Sequence, residues 1–467
     1  MAELHELSAL EQGAAVRSGE VGVVELVEHH LARIARLNPE SHAFLTVTVE
    51  QARAAARAFA GSEFEQASPL AGVPTAIKDQ LGVPGTPTTF GSAAFRDHRP
   101  EIESAGTALL RRGGLISLGK TNLPEFAAGL YTDNDLTGSV RSPWDRTRTA
   151  GGSSGGAAVA VATGLVPVAH GTDGGGSIRI PSSACGLFGL KASRGRVSNG
   201  PNGIDVTGLS CHGPLARTVR DAAAFLDVLA IPQTGDPYRA QQLPPGQTYL
   251  AAADAEPGRL RIGAYATGAG PEAARAYREA IDLLVGLGHD VIEIENPAEP
   301  AVAEAFAVVW SIQQLHHQVP PEREELLRPI SRWWREFGRQ VTGERLFAAL
   351  ATLQLGGRRA LTAFAPYDAI LTPTLAQLPP SPDWFTAPDD RLVELARQGE
   401  VSPYAGLFNV TGQPAASLPL HWTEDGFPVG VTLAGRPAGE AQLLSLSAQL
   451  EAARPWAHRR PPVPADV

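Results

Sequence analysis

The chain has 467 residues, 43% of them hydrophobic and 19% charged, with a formal net charge of -10 and a pI near 5.7. This is the composition of an ordinary globular protein, able to bury a large core as one big domain or two. A net negative surface repels polyanions on average and excludes nucleic acid or acidic membrane as a default partner, and two cysteines in 467 residues argue against a disulfide-stapled secreted scaffold.

The N-terminal stretch MAELHELSALEQG lacks the basic and apolar regions of a secretory signal. No segment has the length of a membrane span, the alanine-rich run 157–168 being broken at Gly164 and Pro167. The expectation is a soluble, cytoplasmic protein in which Cys185 and Cys211 are small core residues. A helix is predicted over 19–37, with Val24, Val27, Leu31 and Ile34 on one face, Ser18 as its cap and Asn38-Pro39 as its stop. His29 and His30, being adjacent, point to different faces and read as polar helix surface. A second helix follows near 50–60, and then a strand over 73–78 enters a Gly/Pro-rich turn, setting Lys78 at the strand's end.

From 91 to about 230 the sequence is dense in glycine and serine, with short strands at 115–118 and 166–169 between small-residue helices. The stretch 230–258, rich in Pro, Gln and Asp, reads as a surface excursion. Beyond it, a strand at 260–265, a helix at 271–287 with proline in its first turn and a strand at 290–294 form a strand-helix-strand unit, which favours α/β packing. A helical region with Trp310, Trp333 and Trp334 follows, then strands at 369–372, 415–418 and 429–434 and a closing helix at 439–452. His316 and His317 have no partners at metal-ligand spacing and read as surface residues, so no metal site is expected.

Only three of the 39 basic residues are lysine: Lys78, Lys120 and Lys191. Arginine stays protonated in proteins, whereas burial can drive a lysine neutral, so of the two only lysine can serve as a base. Three glycine-rich motifs bear on the chemistry. Residues 114–121 match GxxxxGK[ST], but the interior residues Leu-Ile-Ser-Leu themselves look like a strand, which argues against a phosphate loop. Residues 152–156 match GxSxG around Ser154, yet the polar run before them cannot be the strand an α/β-hydrolase elbow requires; His421 or His458 would be its base. In the third, His170 to Pro181, an apolar strand runs into Asp173, Gly174, Gly175, Gly176 and Ser177 and then into a helix. The N-H groups of residues 174–177 form a nest that can hold an oxyanion beside a serine hydroxyl, or the segment is a glycine-rich turn capped by Asp173.

Lys78 in GVPTAIKD, Gly151-Gly-Ser-Ser-Gly-Gly156 and Gly171-Thr-Asp-Gly-Gly-Gly-Ser-Ile-Arg179 together resemble the amidase signature family, in spacing as well as residues. The resemblance is strong over about 65–230 and resumes at Asn409-Val-Thr-Gly-Gln-Pro414 and at 430–435. It implies a single α/β/α domain around a large mixed, mostly parallel sheet, divided into N-terminal helices (1–64), a catalytic core (65–230), a variable substrate region (231–400) expected to build much of the pocket, and a C-terminal return to the core (401–467). It implies a Ser-cisSer-Lys triad without metal or cofactor: Ser177 as nucleophile, Ser153 as the bridging serine after a cis Gly152-Ser153 bond, and Lys78 as base. Ser154, Asp173 and Arg179 are expected to support the glycine loops. Two departures stand out: Gly174, where the family often has Thr or Ser, and Leu130 to Asn134, expected to line the acyl pocket.

The function so implied is hydrolysis of a carboxamide through an acyl-enzyme on Ser177. The expected partner is a small-molecule amide, without nucleic acid or membrane, and a homodimer is allowed for. Alternatives are the amidase subunit of a tRNA-dependent amidotransferase, an α/β-hydrolase-type esterase using Ser154, and a non-catalytic binding protein. Asn409 to Ser417 and Arg454-Pro-Trp456 look more like stand-alone, oligoamide-cleaving amidases.

Overall fold

The computed structural model describes residues 3–203, 205–387 and 389–462; the ends of the domain expected over 1–467 lie outside these. Eleven strands form one sheet: β1 Phe44–Val47, β2 Pro74–Lys78, β3 Ile116–Thr121, β4 Val168–Asp173, β5 Phe188–Lys191, β6 Cys211–Ala216, β7 Arg261–Ala264, β8 Asp290–Glu293, β9 Ala369–Pro373, β10 Ala415–Trp422 and β11 Pro428–Gly435. Their order is β1-β3-β2-β4-β6-β5-β10-β11-β9-β7-β8, so the first half of the chain meets the second in the sheet's middle, at β5-β10. The sheet is mixed, as expected, but not mostly parallel: six of its ten neighbouring pairs are antiparallel. The run β4-β6-β5-β10-β11-β9 supplies five of the six, while parallel pairs are confined to β3-β2-β4 and β9-β7-β8.

Both faces of the sheet are buried. Successive residues point to opposite faces of a strand, and Val168 and Ala169 of β4, Ile77 and Ala76 of β2, and Ala216 and Leu215 of β6 fall in two different apolar clusters. Helices cover each face, giving three layers.

The N-terminal helices differ from the expectation. Helix α1 is Ala9–Ser18 and α2 is Val23–Ser41. Ser18 ends α1 instead of capping α2, because Gly19 takes the left-handed conformation (φ 75°) that closes α1. Pro39 lies inside the last turn of α2, which runs on until His42 caps it. The second expected helix is α3, Val49–Arg57, and TALLRRGG forms α4, Ala105–Arg112. His30 is not surface: it is fully buried, its Nδ1 within 3.0 Å of the Leu165 carbonyl, and burial pushes its pKa down to about 3.

Two further helices frame the site, α5 (Gly155–Ala162) and α6 (Arg179–Cys185). Every residue of α5 is buried, and its small side chains let its backbone approach the sheet: a Cβ on Gly156 would lie 2.3 Å from the Asn122 nitrogen and 2.4 Å from the Ala43 carbonyl oxygen. No helix of the described residues is long and apolar enough to cross a membrane.

Candidate active site

Strands β3, β2 and β4 run parallel, so their C-terminal ends share one edge of the sheet. In open α/β sheets that edge is where ligands bind. Lys78 is the last residue of β2 and Asp173 the last of β4. A cavity of about 990 Å³ opens there, with Ser153, Thr172, Gly174 and Ser177 in its wall.

The structure brings the three expected catalytic residues together. Lys78 is fully buried, and its Nζ lies 2.7 Å from Ser153 Oγ and 2.8 Å from Thr172 Oγ1. Burial drives its pKa down from 10.5 to about 7, against a smaller upward pull from Asp173. The Gly152-Ser153 peptide is cis. Ser177 is 9% exposed, and its carbonyl accepts the Ser154 N-H at 3.1 Å. The Ser153 and Ser177 hydroxyls share the cavity wall without a hydrogen bond between them.

The other two lysines are buried as well, and burial lowers both. Their partners set them apart. Lys120 pairs with Asp79 at 2.9 Å and donates to the Leu81 carbonyl and Thr88 Oγ1, a cation among acceptors. It lies within β3, so the residues matching the phosphate-loop pattern are a strand, as expected. Lys191 donates to the carbonyls of Ala192 and Gln413. Lys78 alone of the three contacts a serine hydroxyl of the cavity wall, that of Ser153.

Asp173 organises the glycine loop. Its Oδ1 accepts the Gly176 N-H at 2.7 Å, its Oδ2 accepts the Ile178 N-H at 3.1 Å, and both oxygens pair with Arg179. Arg179 also donates to Asn409 Oδ1 at 2.7 Å, and the Asn409 amide returns to Asp173 at 3.0 Å. Burial alone would raise the Asp173 carboxyl, but Arg179, Lys191 and Asn409 hold it well below its ordinary 3.8. The supporting roles expected of Asp173 and Arg179 thus have a concrete form. One expectation needs correcting: the Gly176 N-H is committed to Asp173 and is not available to an oxyanion. Among the described residues, the N-H groups of Gly174, Gly175 and Ser177 have no protein acceptor.

Ser154 is fully buried and its Oγ donates to the Thr172 carbonyl at 3.2 Å, so its hydroxyl braces the loop and is not presented to the cavity. His421 is taken up elsewhere, within 3.2 Å of Glu272 and of Glu279. The expected lining changes too. Leu130 to Asn134 do not line the cavity; Tyr131 is buried, bonded to Glu394 and stacked on Phe385. Among the described residues of 231–400 only Trp310 and residues 312–317 contribute, and most of the wall comes from 80–127 and 153–212.

Several wall residues escaped the sequence reading. Thr172 Oγ1 accepts from Lys78 and donates to Gln80 Oε1 at 2.9 Å, which fixes the direction of its proton. The only signal was its place beside Asp173 at a strand end. Trp310 lies against Gly174, whose added Cβ would sit 3.1 Å from the indole, so a Thr or Ser there would require the ring to give by a few tenths of an ångström. His317, expected at the surface, is part-buried in the cavity wall and stacked on Phe126 with ring centroids 4.5 Å apart. Burial pushes it down to about 3. His212 also lines the cavity, hydrogen-bonded to His170 at 2.9 Å and Asn199 at 2.6 Å.

Known proteins resemble this chain over nearly its whole length. It is 39% identical to the protein named "Putative amidase AmiB2" of Mycobacterium tuberculosis (strain ATCC 25618 / H37Rv), covering 97% of this chain and 98% of that one. It is 34% identical to the 6-aminohexanoate-cyclic-dimer hydrolase of Paenarthrobacter ureafaciens, covering 97% and 96%. A solved structure of 6-aminohexanoate cyclic dimer hydrolase complexed with substrate superposes with a TM-score of 0.89 at 32% identity, covering 98% of this chain and 99% of that one. The family model described as Amidase matches residues 25–444, and the chain belongs to that family of amide-bond hydrolases.

Proposed function

We propose that the chain cleaves its amide through an acyl-enzyme on Ser177, with Ser153 as proton relay and Lys78 as base. The observation that carries this reading is the 2.7 Å contact between a fully buried lysine and a cavity-facing serine hydroxyl. The protons around Lys78 support it. A neutral amine has two N-H groups and one lone pair. Thr172 Oγ1 gives its own proton to Gln80, so it must accept from Lys78. With one N-H given to Thr172 Oγ1 and the other directed to the Thr172 carbonyl at 3.5 Å, the amine lone pair is left to face the Ser153 hydroxyl, the arrangement a base needs.

In the reaction, Ser153 passes its proton to Lys78 and takes one from Ser177 as Ser177 Oγ attacks the amide carbonyl. The N-H groups of Gly174, Gly175 and Ser177 receive the oxyanion, with Asp173 holding the loop in shape. The relay reverses to protonate the leaving amine, and water hydrolyses the ester so formed. The missing Ser153-Ser177 hydrogen bond is the link that closes when a substrate carbonyl draws the Ser177 hydroxyl forward; catalytic bonds are often loose before substrate binds.

Full-length likeness to a hydrolase of 6-aminohexanoate cyclic dimer favours a stand-alone enzyme acting on a small organic amide in the cytoplasm over an amidotransferase subunit. The α/β-hydrolase reading has no support from Ser154, whose hydroxyl is tied to a carbonyl. Acid quenching during turnover of an anilide panel, followed by peptide mass spectrometry, should find the acyl group on Ser177. Acylation at Ser154, or turnover that survives Ser177→Ala, would reject the proposal.

A further inference from the structure

Gln314 is 4% exposed and belongs to the cavity wall, yet its side-chain Oε1 is buried with no hydrogen-bond partner. Buried polar groups are nearly always paired, and an orphan on a ligand cavity calls for an explanation. Among the described residues, Gln314 alone combines the two properties. Its main chain is fixed: the N-H donates to the Trp310 carbonyl at 3.3 Å and the carbonyl accepts from Arg335 at 2.8 Å. The side-chain amide is thus held in place by a bonded backbone while its own bonding capacity stays open.

Its neighbours in sequence mark where it stands along the cavity. Trp310, four residues earlier, lies against Gly174 of the nucleophile's loop. His317, three residues later, stacks on Phe126 and lies 4.7 Å from the Phe90 ring. Phe90 and Phe126 both hold left-handed backbone conformations, φ 53° and 54°, costly for such side chains, and a 2.7 Å bond from Phe126 N-H to the Phe90 carbonyl joins them. The wall therefore reads as an indole beside the reacting carbonyl, a carboxamide, and a rigid aromatic end kept apolar.

On the basis of the amidase mechanism proposed above, we propose that Gln314 is a specificity-determining residue that hydrogen-bonds a second polar group of the substrate, an amide set apart from the scissile one and flanked by apolar segments. A carboxamide side chain can turn about its last bond to present either its oxygen or its nitrogen, so it matches an amide N-H or C=O. Substrates with a lone amide leave this group unpaired and lose the corresponding affinity.

The test compares substrates of equal length that differ only in the second amide. N-acetylglycyl p-nitroanilide against pentanoyl p-nitroanilide places it on the acyl side; the pentanoyl amides of 4-acetamidoaniline and 4-propylaniline place it on the amine side. In at least one pair the wild-type enzyme should favour the diamide in kcat/KM by at least about tenfold, mainly through KM. Gln314→Leu and the unbranched Gln314→Met should each bring the diamide-to-monoamide ratio of kcat/KM to about one, and a retained Tm shows that they fold. No diamide preference in either pair would overturn the proposal, as would variants that slow both members equally or only lower Tm. If no member of either pair acylates Ser177, it is the mechanism that fails, and the two failures are distinct.

Discussion

At Lys78, function and stability pull in opposite directions. The displacement from 10.5 to about 7 corresponds to on the order of 5 kcal/mol of bias against the charged form. Because the folded value lies below the unfolded one, the unfolded chain holds the extra proton between about 7 and 10.5. Stability from this group therefore rises with pH across that window and is lowest below about 7. Lys78→Met should lose hydrolysis by several orders of magnitude while unfolding at a higher temperature than wild type, with a larger gain at pH 6 than at pH 10, as read by thermal unfolding. An unchanged or lowered Tm at both pH values would show that the buried amine is not strained. The residue itself was legible in the sequence, because three lysines among 36 arginines mark places where guanidinium does not serve. What separates Lys78 from Lys120 and Lys191 was not legible: all three are buried, and only the partners set the proposed base apart from the two other lysines.

At the scale of elements, the loop between β4 and α6 is held by charge. Asp173 accepts three backbone N-H groups and pairs with the Arg179 guanidinium, which Asn409 joins from the far end of the chain. Removing one partner of a buried pair strands the other, at a cost of about 3–5 kcal/mol. Asp173→Asn should lower stability by that amount in urea unfolding and reduce kcat/KM, since an amide oxygen cannot replace both carboxylate oxygens. The carboxylate's contribution is present above its ordinary 3.8 and disappears as the pH falls below it, so the wild-type advantage should vanish in acid. Asp173 was readable as a cap from its place before three glycines. Its link to Asn409, 236 residues away, was not, because spacing along a chain carries no information about such a contact. Likewise β5 and β6 sit within the stretches that carried the family resemblance, yet Phe-Gly-Leu-Lys and Cys-His-Gly-Pro-Leu-Ala lack the alternation or length that marks a strand. The sheet's interior, not local propensity, makes them extended.

Over the described residues, strands from 44 to 435 share one sheet, and segments near either end, 5–7 and Trp456, meet beside it at Arg217. Trp456, 2% exposed, donates to the Arg217 carbonyl at 2.8 Å, while the Arg217 guanidinium binds the carbonyls of His5, Glu6 and Leu7. Trp456→Ala should cost about 3–5 kcal/mol, and because one sheet joins all regions, urea should unfold wild type and variant in a single transition; two separated transitions would contradict that coupling. The strand-helix-strand unit, the late strands and the closing helix were legible from periodicity. The antiparallel centre was not: four of its five pairs lie within one half of the chain and only β5-β10 joins the halves, and strand direction is not written in local periodicity. The same topology sets Lys78 and the loop that carries Ser177 on one sheet edge, and the account rests on that proximity. It is tested most directly by the rate at which a fluorophosphonate modifies the protein as a function of pH. The predicted result is one adduct, on Ser177, formed at a rate that rises through an apparent pKa near 7 and collapses in Lys78→Ala; an adduct elsewhere, or a rate on Ser177 that neither changes between pH 5 and 9 nor depends on Lys78, would contradict it.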